Sequence, residues 1–166
     1  MAKGSGMIMP NMATMIAVIT TDAPLAPEVL HSALVHSVNQ SFNKVTVDSD
    51  TSTNDTCFLL ASGKAAPGVL DALTQMLARE MARDGEGATK LVTVKITGAA
   101  NDEEADLAAR TVANSPLVKT AVFGHDANWG RIAGALGRSG AHFEQQDVSI
   151  DIMGIPVCRD GLTVEF

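Results

Sequence analysis

Thr14 is the residue whose setting most invites chemistry. The segment Lys3-Gly-Ser-Gly-Met-Ile-Met-Pro-Asn-Met-Ala-Thr14 combines the backbone freedom of Gly4 and Gly6 with a fixed φ at Pro10. It reads as a shaped loop, not a flexible tail. Ala13 places only a small side chain beside its own carbonyl. A fold that strains this peptide would leave that carbonyl open to attack by the Thr14 hydroxyl. The product is an ester that water cleaves. Thr14 would then carry a free α-amine, whose reference pKa of about 8 leaves roughly a tenth of it neutral near pH 7. A neutral amine on the same residue as the hydroxyl can act as its base, without a separate His. Ala-Thr pairs are common, however. On local chemistry alone the preferred reading is a glycine-rich entry into a buried strand, with Thr14 packing there.

The elements that must position this segment follow from hydrophobic patterning. Residues 15–19 form a wholly apolar run, suited to a strand buried on both faces. Pro27 stands at a plausible first helical position, with Val29, Leu30, Ala33, Leu34 and Val38 at helical spacing behind it. A strand at 45–47, a polar loop over 48–56 and an apolar strand at 58–61 come next. A second helix is expected to open near Pro67, to carry Leu70, Leu73, Met76, Leu77 and Met81 on one side, and to stop before Gly85. Residues 92–96 alternate as a half-buried strand does, and Asn101 followed by Asp102, Glu103 and Glu104 signals a capped helix running to about 114. A strand at 117–123, a glycine-rich loop, a short helix over 132–136 and a final strand pair complete the pattern. Arg159, Asp160 and Gly161 supply the hairpin turn of that pair. The alternation predicts an α/β fold, a layered sandwich of mixed β-sheet and helices with an antiparallel portion at the end. Leu162, Val164 and Phe166 alternate to the last residue, and the first residues already belong to a glycine-rich motif, so flanking sequence is expected at both ends.

Composition narrows the function classes. The 166 residues are 46% apolar and 19% charged, as in a compact enzyme domain, and one domain is the expectation for this length. A net charge of −7 with no basic cluster argues against nucleic acid, and so does the absence of Tyr beside a single Trp, Trp129. Cys57 and Cys158 lie far apart without a Cys-x-x-Cys pattern, which suggests neither zinc nor a disulfide framework and fits a cytoplasmic setting. The four histidines, His31, His36, His125 and His142, form no metal-binding pattern, and the first two more simply decorate a helix. Residues 48–55 are oxygen-rich, but a calcium loop starting at Asp48 would need Gly at position 53 and Glu at position 59, where Thr53 and Leu59 stand. Neither glycine-rich stretch completes a nucleotide fingerprint. Pro10 and Asn11 break the faint secretory-signal pattern after Lys3, and nothing is apolar for long enough to cross a bilayer.

The balance for Thr14 changes when its segment is read with three others: Asp48-Ser-Asp-Thr-Ser-Thr-Asn-Asp55, Asp84-Gly-Glu-Gly-Ala-Thr-Lys90 and Gly124-His-Asp-Ala-Asn-Trp-Gly-Arg131. Together, in this order, they resemble the ornithine acetyltransferase family, the bifunctional glutamate N-acetyltransferases of arginine biosynthesis, from Lys3 to Phe166. The resemblance implies the self-cleaving, DmpA-like fold of that family. It implies one catalytic β-chain domain fragment over 1–166, with 1–13 the tail of an α chain. Autocleavage at Ala13-Thr14 would free Thr14 to take acetyl from N-acetylornithine and pass it to glutamate. On the same basis Lys3, Thr14 and Glu86 are substrate-binding positions, and an ammonium and a carboxylate suit an amino-acid substrate. No cofactor and no metal is implied, with acetyl-CoA a possible alternative donor. The implied assembly is a heterotetramer of two α and two β chains.

In the family an upstream Thr-Gly pair supplies the oxyanion hole and a later segment adds substrate contacts, so this fragment alone is expected to be inactive. Ser49 stands where the family usually has Gly. Residues 48–55 are expected to border the active site, and the Trp129 loop to be structural or to line the pocket. Two other readings stay open: an aminopeptidase or amidase of the same fold, in which water takes the acyl group, and a non-catalytic assembly fragment.

Overall fold

β-branched Val18 and Ile19 favour extended backbone, and a strand, β2 (Ile16–Thr21), forms where the apolar run lies. The computed structural model describes residues 1–9, 15–64 and 70–164. They fall into two compact units, Met1–Leu91 and Val92–Phe166. In the first, β2 pairs antiparallel with β1 (Ala2–Lys3) and parallel with β3 (Thr56–Ala61), giving the order β1-β2-β3. Parallel neighbours need a crossover, and the connection from β2 to β3 contains α1 (Pro27–Asn39), with Pro27 opening the helix as expected.

The helix α2 (Leu70–Arg83) covers the first unit beside α1, with Asp71 in its first turn and Arg83 in its last. Its expected opening near Pro67 lies outside the described residues. The buried face is Thr74, Ala78 and Met81, whereas Leu73 and Met76 are exposed. Hydrophobic spacing misjudged this face because its centre is polar: Ser37 of α1 and Thr74 of α2 are wholly buried, and their hydroxyls share a 2.7 Å hydrogen bond. Thr74 also donates to the Asp71 carbonyl at 3.1 Å, so neither hydroxyl is stranded. Around them pack Ile8, Met15, Ala17, Val38, Phe42 and Met81. Among the described residues only one face of the sheet is covered: Ala17 and Ile19 are buried, but Ile16, Phe58 and Leu60 are exposed. The expectation of a strand buried on both faces is therefore corrected. Residues 45–47 are not a strand either; they follow a short 3-10 turn, Phe42–Lys44, and Val47 donates its N–H to the Ile8 carbonyl at 2.8 Å.

In the second unit, helices are set by their caps. Asn101 opens α3 (Asp102–Ala113) by accepting from the Glu104 N–H at 2.8 Å, as its position predicts. Residues 117–123, expected to be a strand, lie instead in α4 (Pro116–Phe123). Ser115 caps it and Pro116 occupies its start, a local signature that outweighs the short apolar run. Asn128 caps α5 (Trp129–Gly137). Residues 92–96 have no ladder partner among the described residues and are not a strand; Val94 packs instead against Val112, Val118 and Ala135.

The chain then forms β4 (Ile150–Ile152), β5 (Ile155–Arg159) and β6 (Leu162–Thr163) as an antiparallel sheet. Two consecutive residues with positive φ make each turn, Met153-Gly154 and Asp160-Gly161. The second is the hairpin expected from the sequence. Its glycine is obligatory twice over: φ is +72°, and a Cβ at Gly161 would collide with the Gln145 carbonyl. The mixed α/β class stands as expected, with the strands in two small sheets.

Candidate active site

Three of the four motifs converge in the first unit. Asp48 accepts from the backbone N–H of Met7 at 2.5 Å and of Ile8 at 3.0 Å, and turns its own loop by accepting from Asp50 at 3.1 Å. At the far end of the same loop, Asp55 Oδ1 accepts from the Met15 N–H at 2.7 Å. The loop over 48–55 thus grips both sequence flanks of residues 10–14. Ala13 and Thr14, the expected cleavage pair and nucleophile, lie outside the described residues. Charged acceptors give these bonds more strength than neutral ones. Burial pushes the Asp55 carboxyl above its ordinary range, partly offset by the Met15 N–H.

The third motif closes on the first from the other side. Glu86 donates its N–H to the Ser5 carbonyl at 2.7 Å. A Cβ on Gly6 would lie 2.7 Å from Glu86 Oε2, and one on Gly85 would lie 2.9 Å from the Val47 side chain, so both glycines permit close approach. Lys3 sits on β1 opposite Ile16, exposed like Glu86. Glu86 approaches Ser5 and Gly6, two and three positions along from Lys3, and no ion pair joins Lys3 and Glu86 among the described residues. A cleft of about 610 Å³ is lined by Lys3, Ser5, Glu80, Arg83 and Asp84 among others, and Glu86 is not part of its lining. Residues of both charge signs are among those lining it.

Ser49 has a φ of 71°, a left-handed conformation that glycine enters more readily than serine. That accounts for the departure seen in the sequence: the backbone keeps the conformation and serine bears its strain. Both Asp48 oxygens and one Asp55 oxygen are occupied by N–H donors, and no group of three or more potential metal ligands occurs among the described residues. Cys57 and Cys158 are free thiols, and burial raises the Cys57 pKa, which disfavours the reactive thiolate. His31 and His36 lie exposed on α1. What the sequence concealed is the anchoring role of Asp48 and Asp55; the available signal was an aspartate at each end of a polar loop.

The fourth motif belongs to the second unit. Asn128 Oδ1 accepts from the Arg131 N–H at 3.1 Å, while its Nδ2 donates to Asp126 at 3.0 Å. Trp129 packs against Ile150, Val157 and Cys158. The Arg131 guanidinium donates to the Leu117 carbonyl at 3.1 Å. Loop, α4 and α5 are therefore tied together. No helix among the described residues is long and apolar enough to cross a membrane.

The described residues form a mixed α/β protein in which an aspartate loop holds Met7, Ile8 and Met15. Residues 1–166 match the ArgJ family. The chain is 50% identical over 177 aligned positions to the arginine biosynthesis bifunctional protein ArgJ of Chlorobium chlorochromatii, covering 99% of this chain and 41% of that protein. It is 52% identical over 164 positions to the protein of the same description from Thermus thermophilus, covering 95% and 43% respectively. The crystal structure of ArgJ from Bacillus halodurans superposes with a TM-score of 0.87 at 42% identity, over 92% of this chain and 78% of that one. The chain belongs to the ArgJ family. It spans less than half the length of these curated relatives.

Proposed function

We propose that this chain carries the nucleophile-bearing part of an acetyltransferase that moves acetyl from N-acetylornithine to glutamate. Thr14 Oγ attacks the acetyl carbonyl, ornithine leaves as the amine with the hydroxyl proton, and an acetyl ester remains on Thr14. The glutamate amine then attacks the ester, and its proton returns to Thr14 Oγ as N-acetylglutamate departs. An oxyanion hole stabilises each tetrahedral stage. The same oxygen first attacks the Ala13 carbonyl, the peptide C–N bond breaks to release the Thr14 amine, and water hydrolyses the resulting ester to leave the Ala13 carboxylate and regenerate the Thr14 hydroxyl.

The observation that carries this reading is the anchoring of both flanks of residues 10–14 by Asp48 and Asp55. Lys3 and Glu86 meet the carboxylate and the ammonium of the amino-acid substrates. No cofactor takes part in these steps, and acetyl-CoA is an alternative donor. Residues 1–13 become the end of an α chain and the rest one catalytic β-chain domain, in an assembly of two α and two β chains acting in the cytoplasm. The 166 residues alone are inactive, because the oxyanion hole and later substrate contacts come from elsewhere.

Mass spectrometry of the full-length gene product tests this directly. The expected result is a break before Thr14 and, with N-acetylornithine, an added acetyl mass on the fragment beginning there. Thr14→Ala should remain uncut and transfer nothing; continued cutting at that bond would falsify the mechanism. Acetate released equally with and without glutamate would assign the site to a hydrolase instead.

A further inference from the structure

Met15 is fixed at three points. Its side chain is 3% exposed in the core, its N–H is held by Asp55 Oδ1 at 2.7 Å, and its carbonyl accepts from the Thr56 N–H at 2.9 Å. The Thr56 bond is backbone to backbone, and any residue but proline would supply it. The Asp55 bond is different, because it needs an acceptor on that one side chain. Asp55 is otherwise expensively placed: Oδ2 is buried without a hydrogen-bond partner among the described residues, and desolvation already works against its charge.

The covalent chain turns this grip into a constraint on its neighbour, because the Met15 nitrogen is bonded to the Thr14 carbonyl carbon. We propose that Asp55 is the positioning residue for Thr14, acting through the Met15 amide. This rests on the reading of Thr14 as the nucleophile. Before cleavage the held amide fixes one end of the peptide that must be strained. After cleavage Thr14 is a chain terminus tethered only through that amide, so the direction of its hydroxyl and amine depends on the same anchor. Reacting groups displaced by about 1 Å lose on the order of 100-fold in rate.

The test compares Asp55→Ala, Asp55→Asn and Asp55→Glu in the full-length enzyme, measuring cleavage before Thr14 and the kinetics of acetyl exchange. Asp55→Ala is expected to lower kcat about 100-fold while KM for N-acetylornithine moves less than about threefold. Loss of cleavage counts with loss of kcat. Asp55→Asn retains an acceptor oxygen and should restore kcat to within about fivefold of the parent. A kcat for Asp55→Ala within about threefold of the parent, or an Asn variant as impaired as the Ala variant, overturns the proposal. Should the Ala variant fail to fold, Asp55→Glu decides: its carboxylate is displaced by one methylene, so kcat should fall about tenfold, and an unchanged kcat refutes the role. A parent enzyme without exchange sinks the Thr14 reading itself; full exchange in both parent and variants sinks only the role of Asp55.

Discussion

The two units differ in how their irregular segments are chiefly held, although Glu104 in the second also accepts from the His142 N–H, 38 residues away, at 2.8 Å. In Val92–Phe166, helices α3, α4 and α5 each begin with a side chain that bonds a backbone N–H three residues ahead, from Asn101, Ser115 and Asn128. In Met1–Leu91, Asp48 and Asp55 reach backbone groups 40 or 41 residues away. Local caps set where an element starts, and each can be lost separately. Long-range carboxylate bonds set where one loop lies against another, and they form only when the sheet has brought the loops together. The candidate site is built with the second device, which suits a segment whose geometry must be imposed from outside.

Replacing the long-range anchor should have the larger effect. Asp48→Ala removes the acceptor for three backbone N–H groups, one of them on buried Ile8, and should destabilise the first unit by about 3 kcal/mol in denaturant unfolding. A loss below about 1 kcal/mol would show that the loop is held some other way and would dissolve the contrast. Asn101→Ala should cost only about 1 kcal/mol, confined to α3 and visible as faster amide exchange in its first turn. Acetyl transfer by the full-length enzyme should be unaffected; a fall in kcat would mean that local caps also govern the site. The smallest change has the opposite sign. Ser49→Gly relieves the strained φ of 71° and, after the entropy lost by glycine, should stabilise by roughly 0.5 kcal/mol, read as a small rise in Tm.

The same contrast explains what could be read from the sequence. Pro27, Asn101 and the Asp160-Gly161 turn announced their elements because each acts within a few residues of itself. The misreading of residues 117–123 as a strand came from weighing a short apolar run above the Ser115-Pro116 start, although the run was ambiguous and the start was not. Residues 92–96 show the converse: alternation makes a segment fit to be a strand, but only a neighbour with free backbone groups makes it one. At the site, Lys3 and Glu86 were named by resemblance, and their association through Ser5 and Gly6 depends on tertiary contact. Asp48 and Asp55 were visible only as polar loop residues, since no local pattern encodes a partner 40 positions away. The left-handed backbone at Ser49 was not read from the sequence, where that residue only raised a question about the local backbone.

The hydroxyl pair between α1 and α2 constrains how this chain can diverge. Ser37 and Thr74 share a hydrogen bond where both are buried, so a methyl group in place of the Thr74 hydroxyl strands that of Ser37, whereas Thr74 keeps the Asp71 carbonyl if Ser37 is lost. Two apolar replacements of matching shape, by contrast, leave nothing unsatisfied between them. An apolar residue at position 74 should therefore be tolerated only together with one at position 37, whereas position 37 is free to change first.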